Sequence, residues 1–149
     1  MEINQNIKTH LEYMGYAMVP DSDTIVFMKP GLPTLFIEQL SVNRIVLNAR
    51  YSYNNNAENN ELGFLNYVNT LNQKTYIATF LKVSDSLAFC AMYTGLYDRI
   101  EFGQFIQSWE YDSTSLLENE TETPFFLMED CPRIDSDLMN LAIDKRFVA

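Results

Sequence analysis

Apolar residues recur along this chain at helical spacing in some stretches and at alternate positions in others. Ile3, Ile7, Leu11 and Met14 share one face of a helix over residues 3–14, and Gly15 supplies its stop. Residues 16–19 and 24–29 read as a hairpin around the turn Pro20-Asp21-Ser22-Asp23. Pro30, Gly31 and Pro33 break the pattern, and residues 34–40 form a further strand. Residues 44–51 alternate most cleanly. Ile45, Leu47, Ala49 and Tyr51 should face a core, and Val46, Asn48 and Arg50 the other way.

Residues 54–60 are polar and rich in Asn, which predicts an exposed loop. Asn60 can cap a second helix over about 62–71, with Glu61 in its first turn, Phe64, Leu65, Val68 and Leu71 buried, and Asn72 as its stop. Residues 76–83 and 86–93 are strands joined by Ser84-Asp85. The second of them is apolar on both faces: Leu87, Phe89, Ala91 and Tyr93 on one, Ala88, Cys90 and Met92 on the other. Such a strand should be covered on both sides, by the tail or by a second copy of the chain, so a homodimer through the sheet or the last long helix is expected. Cys90 reads as a small core residue. Asp98 and Glu101 form a capping box for a third helix carrying Phe102, Phe105, Ile106 and Trp109 inward, closed by Leu116 and Leu117.

Together these elements predict an α+β domain over residues 1–117, with one antiparallel sheet of about five strands and helices mainly on one face. Its core should include Leu11, Ile45, Leu47, Leu65, Val68, Phe80, Phe89, Phe105, Ile106 and Trp109. Residues 118–149 form an acidic C-terminal extension with eight acidic and three basic residues. Within it Phe125, Phe126, Leu127 and Met128 would be costly to leave in water. That run should dock on the core or on a partner, and it is the candidate protein-binding segment. A short helix over 135–143 is expected beyond it.

Composition narrows the chemistry. The chain has 149 residues, 47% hydrophobic, and a formal net charge of −10. Ten Lys and Arg residues spread thinly do not build the basic patch that nucleic acid requires, so neither nucleic acid nor an anionic membrane is an expected partner. No signal peptide and no membrane span is visible, which predicts a cytoplasmic protein. His10, the single histidine, reads as a surface residue. No nucleophile motif, metal-binding motif or phosphate loop occurs. The acidic pairs Asp21/Asp23, Glu129/Asp130 and Asp135/Asp137 lack calcium-loop spacing and suit turns and caps. No catalytic, cofactor-binding or metal residue, and no cofactor, is therefore assigned. A hydrolytic site made of distant carboxylates is the minor alternative.

The order helix, strands, helix, hairpin, helix resembles the type III secretion chaperone-like fold. Within it the chain looks most like the YbjN family, described as proposed bacterial sensory transduction regulators. The residues that carry this resemblance are the helix Phe64-Leu65-Asn66-Tyr67-Val68-Asn69-Thr70-Leu71-Asn72, the hairpin that follows it, and the helix with Phe102, Phe105, Ile106 and Trp109. The resemblance covers residues 1–117 and implies a small, acidic, cytoplasmic bacterial protein, often dimeric, with no catalytic residues. The expected function is a non-enzymatic, chaperone-like or regulatory protein-binding module. The alternative is an acidic inhibitor or immunity-type protein that neutralises a basic enzyme.

Overall fold

The fold is that of a computed structural model, which describes residues 3–128. Helix α1 (Gln5–Tyr13) starts where Asn4 Oδ1 accepts the Asn6 N–H and ends at Gly15, whose φ of 99° reverses the chain at little cost. Strands β1 (Ala17–Met18), β2 (Ile25–Met28), β3 (Leu35–Ser41) and β4 (Arg44–Ser52) follow as a meander. After two helices, α2 (Asn55–Asn59) and α3 (Glu61–Asn72), come β5 (Thr79–Lys82) and β6 (Ser86–Thr94). The long helix α4 (Arg99–Ser113) and the short α5 (Ser115–Glu118) and α6 (Glu122–Phe126) complete the described chain.

All pairings are antiparallel, in the order β1-β2-β3-β4-β6-β5. The sheet has six strands, close to the about five expected, and β1 is the shortened form of the strand read over residues 16–19. β6 lies between β4 and β5 because its nine residues match β4 along their whole length, from Arg44 opposite Thr94 to Ser52 opposite Ser86. The described helices pack on one face only. Leu47, Tyr51, Phe89 and Tyr93 point into that side, and the ring of Trp109 stacks on Phe89 with centroids 4.2 Å apart, which in turn stacks on Phe80 at 4.4 Å. This aromatic column is the centre of the core.

Three expectations need correction. Leu65 is 41% exposed: Phe64, Tyr67, Val68 and Leu71 already make the buried stripe of α3, and a fifth position falls outside its arc. Residues 54–60 are not a loop. Asn54 Oδ1 accepts the Asn56 N–H and starts α2, whose Ala57 is buried. The capping power of Asn outweighed its polarity as a signal. Cys90 is only half-buried, on the face of the sheet away from the helices. Phe105 packs against the core but keeps part of its surface. The remaining members of the expected core are buried.

Asn60 caps α3 as expected, accepting the Gly63 N–H. Its side chain lies where a Cβ at residue 63 would stand, 2.4 Å from Asn60 Nδ2, so the cap requires glycine there. Asn72 ends the helix and also brackets β5. Its Oδ1 accepts the Phe80 N–H at 2.7 Å, and its Nδ2 donates to the Phe80 carbonyl at 2.8 Å. The strand expected over 76–83 begins only at Thr79, because Asp112 claims the preceding backbone. That carboxylate, fully buried on α4, accepts the amides of Tyr76, Ile77 and Ala78 at 2.8, 2.9 and 2.9 Å. On the far flank, Glu110 accepts from the Tyr16 hydroxyl at 2.8 Å and pairs with Lys29 at 3.0 Å, tying α4 to the β1–β2 end. Burial, reinforced by Glu110, pushes the Tyr16 hydroxyl far up, so it stays a donor.

Asp112→Asn retains one acceptor oxygen and turns an NH2 group toward backbone donors. Buried donors left without an acceptor cost about 1–3 kcal/mol each. Urea unfolding of this variant should show a loss of about 2–3 kcal/mol; a loss under about 0.5 kcal/mol would contradict the role given to this carboxylate.

Candidate functional site

The face of the sheet away from the described helices exposes several apolar side chains. Alternation places Phe36 and Glu38 of β3 on it, with Leu40 at the bulge that follows, and Arg44, Val46, Asn48 and Arg50 of β4. β6 adds Ala88, Cys90 and Met92, and β5 adds Leu81. Phe36, Leu40, Leu81 and Met92 are 38–50% exposed. Among the described residues no helix packs on this face. Glu38, Arg44 and Arg50 lie on it and form no ion pair among the described residues. A groove of about 410 Å³ crosses it, lined in part by Phe36, Glu38, Val46 and Asn48. Burial pushes the Cys90 thiol up, and the nearby Arg50 works against that rise.

The edges of the sheet offer less. β5 is bracketed by Asn72, and β1 is two residues long. Short or covered edges resist the addition of a further strand.

The four tail residues separate into two pairs. Phe126 and Leu127 are buried, whereas Phe125 and Met128 remain 49% and 50% exposed. The Phe126 ring lies against Phe64 and Tyr67, with centroids 5.5 and 5.4 Å away. Leu127 bridges to Tyr53 in antiparallel fashion, and the Met128 N–H donates to the Ser52 carbonyl at 2.9 Å. The Asn54 N–H donates to the Phe126 carbonyl, and the side chains of Asn54 and Asn56 donate to the Phe125 carbonyl, each at 2.9 Å. β3 leaves β4 beyond Asn48, and this segment takes the vacated side near the end of β4. The helix expected over 135–143, Cys131, and the pairs Glu129/Asp130 and Asp135/Asp137 lie outside the described residues.

His10 is half-buried, not a free surface residue. Its Nδ1 stands 2.8 Å from the Tyr97 hydroxyl, and its ring meets Phe102 edge to face at 5.2 Å. Desolvation lowers its pKa, and Arg99 lowers it further. A cleft of about 600 Å³ opens here, lined by Asn6, Thr9, His10, Tyr13, Tyr97 and Arg99. Eighty-seven residues separate His10 from Tyr97, so no local pattern could have paired them. Asp21 and Asp23 are exposed turn residues. Among the described residues no group of three or more His, Cys, Asp or Glu could hold a metal ion, and no helix is long and apolar enough to cross a membrane.

No family model matches the sequence, and no curated protein matches it either. Among solved structures, YbjN from E. coli, described as a proposed transcription regulator, is similar. It has a TM-score of 0.62 and 14% identity, over 83% of this chain and 93% of that one. The chain therefore has a YbjN-like α+β fold, as the order of its elements implied.

Two outcomes test the geometry of these sites. Phe126→Ala should cost about 3–4 kcal/mol of unfolding free energy, whereas Phe125→Ala should stay within about 1 kcal/mol. Equal effects in denaturant titrations would contradict the docked pose of the segment. For His10, the folded form binds its proton more weakly than the unfolded chain does. Its contribution to stability is therefore complete above the ordinary value of 6.5 and declines as pH falls toward the lowered value. An NMR titration of this single imidazole should place its midpoint below 6.5, with Arg99→Gln moving it upward.

Proposed function

We propose that the chain is a non-enzymatic protein-binding module of regulatory type, and that it works as a homodimer joined through the open sheet face. One observation carries this reading: the sheet face that no described helix covers exposes apolar side chains and sets one acidic beside two basic groups in an otherwise strongly acidic chain. Each copy carries a net charge of −10, so two copies repel unless they meet where the local charges offset. Glu38 on β3 pairs in register with Val46, one step along the face from Arg44, while Arg50 lies farther down β4 opposite Ala88, so both signs are available for a second copy to pair with. Phe36, Leu40, Val46, Leu81 and Met92 supply the apolar area. Five strands about 4.8 Å apart, each contributing about six residues, make a face of roughly 24 by 20 Å. Two such faces reach about the 1,000 Å² of total burial that a specific interface needs.

Pairing through the sheet leaves the helical side and the exposed Phe125 and Met128 free for a client protein. The likeness of the fold to a proposed transcription regulator supports a regulatory role over a catalytic one. The alternative, an acidic inhibitor of a basic enzyme, would use the acidic surface elsewhere on the chain. It would lose affinity steeply as salt screens the charges.

Sedimentation at micromolar concentration should give about twice the chain mass of 17.3 kDa. Met92→Glu, on this face opposite Val46 and 50% exposed, should yield a folded monomer with unchanged circular dichroism. A wild-type monomer, or a dimer that Met92→Glu leaves intact, would overturn the proposed interface. Dimerisation that collapses between about 0.05 and 0.5 M salt would show that charge, not apolar area, drives association.

A further inference from the structure

We propose that the cleft between α1 and the start of α4 is a binding site for a small anion built on a flat heterocycle, the chemistry of a nucleoside monophosphate. The site lies on the helix-bearing side of the domain, and its test is independent of the dimer reading.

Size comes first. Small-molecule sites usually span roughly 300–1,000 Å³, and this cleft holds about 600 Å³. Its lining is mixed in a way that suits such a ligand. Two phenol rings, Tyr13 and Tyr97, offer flat apolar surface for stacking. Tyr13 is 89% exposed at the end of α1, so its ring is free to lie against a bound heterocycle. Asn6 and Thr9, one turn apart on α1, add an amide and a hydroxyl that can meet sugar hydroxyls.

Charge comes from Arg99. It is the first residue of α4, it is exposed, and it forms no ion pair among the described residues of a strongly acidic chain. A guanidinium can grip a phosphate or carboxylate through two parallel N–H donors. The helix terminus itself is not the anion receptor, because Asp98 Oδ1 already accepts the amides of Ile100 and Glu101 at 3.0 and 2.9 Å. Those bonds also hold the Asp98 carboxylate on the backbone of α4.

His10 and Tyr97 form the rigid wall of the cleft. Their hydrogen bond of 2.8 Å and the packing of His10 on Phe102 fix both rings before any ligand arrives. Behind the imidazole stands Gly103. A Cβ at that position would stand 3.4 Å from His10 Nε2, about ordinary contact, so the ring packs closely on α4 here.

The imidazole of His10 is the only one in the chain, so a single ring cross-peak reports on the site. Titrating the full-length protein with AMP should move that peak along a saturable curve with a midpoint near or below about 1 mM. Adenosine alone and inorganic phosphate alone should each bind more weakly than AMP. Arg99→Gln should weaken AMP roughly tenfold while unfolding at the same denaturant concentration as the wild type. Tyr97→Phe, which removes the hydroxyl that steadies His10, should also weaken it. An unmoved peak up to about 10 mM AMP, or an identical curve for Arg99→Gln, would overturn the proposal, as would adenosine binding as well as AMP.

Discussion

The fold depends on one buried carboxylate. Asp112 carries its charge into the core and meets three successive backbone amides there, just before β5 begins. An ionised group in that setting is tolerable only because every donor around it is aimed inward. In return it fixes the entry of the chain into the last hairpin relative to α4, the helix that bears Trp109. The column Phe80, Phe89 and Trp109 is aligned by that restraint. Glu110, the residue before it, reaches Tyr16 and Lys29 at the other end of the sheet. Two adjacent acidic residues on one helix thus tie both flanks of the sheet to it.

The same arrangement decides which surface is left over. With α1, α3 and α4 all committed to the face of Phe89, the reverse face is, among the described residues, built of strand residues alone. Its apolar members are spaced by Glu38, Arg44 and Arg50, so it is neither a core face nor an ordinary solvated one. The edges of the sheet are meanwhile closed by Asn72 and by the brevity of β1. Contact through the face is then the route left open to the sheet, whereas growth by strand addition is not.

Much of this was legible in the residues. Alternation in 44–51 set the inward row Ile45, Leu47, Ala49 and Tyr51. The spacing of Phe102, Ile106 and Trp109 set the buried side of α4, and Asp98 marked where that helix starts. These are local signals, and local signals read well. Leu65 failed because helical periodicity gives a direction for the apolar arc and not its width. Residues 54–60 failed because Asn serves a helix cap as readily as a loop. The restraint from Asp112 onto residues 76–78, and the meeting of His10 with Tyr97 and Arg99, join positions 34 to 89 residues apart. No periodicity carries such information, and with it went the cleft on α1 and the true start of β5.

The central ladder of the sheet joins β4 to β6 across an intervening stretch that holds two helices and a strand. Its nearest register pair, Ser52 with Ser86, closes a loop of more than thirty residues, and the bridge from Leu127 back to Tyr53 spans seventy-four. The meander β1 to β4 needs only short turns and can form early on the pathway. β6 must then be delivered to β4, after the intervening chain has lost much of its freedom, although Phe80 and Phe89 can already meet within the local β5–β6 hairpin. The docking of β6 on β4 is thus the most non-local pairing in the sheet, the kind that slows folding. Until that step is complete, β4 presents a bare, hydrogen-bonding margin to every other nascent chain in its surroundings.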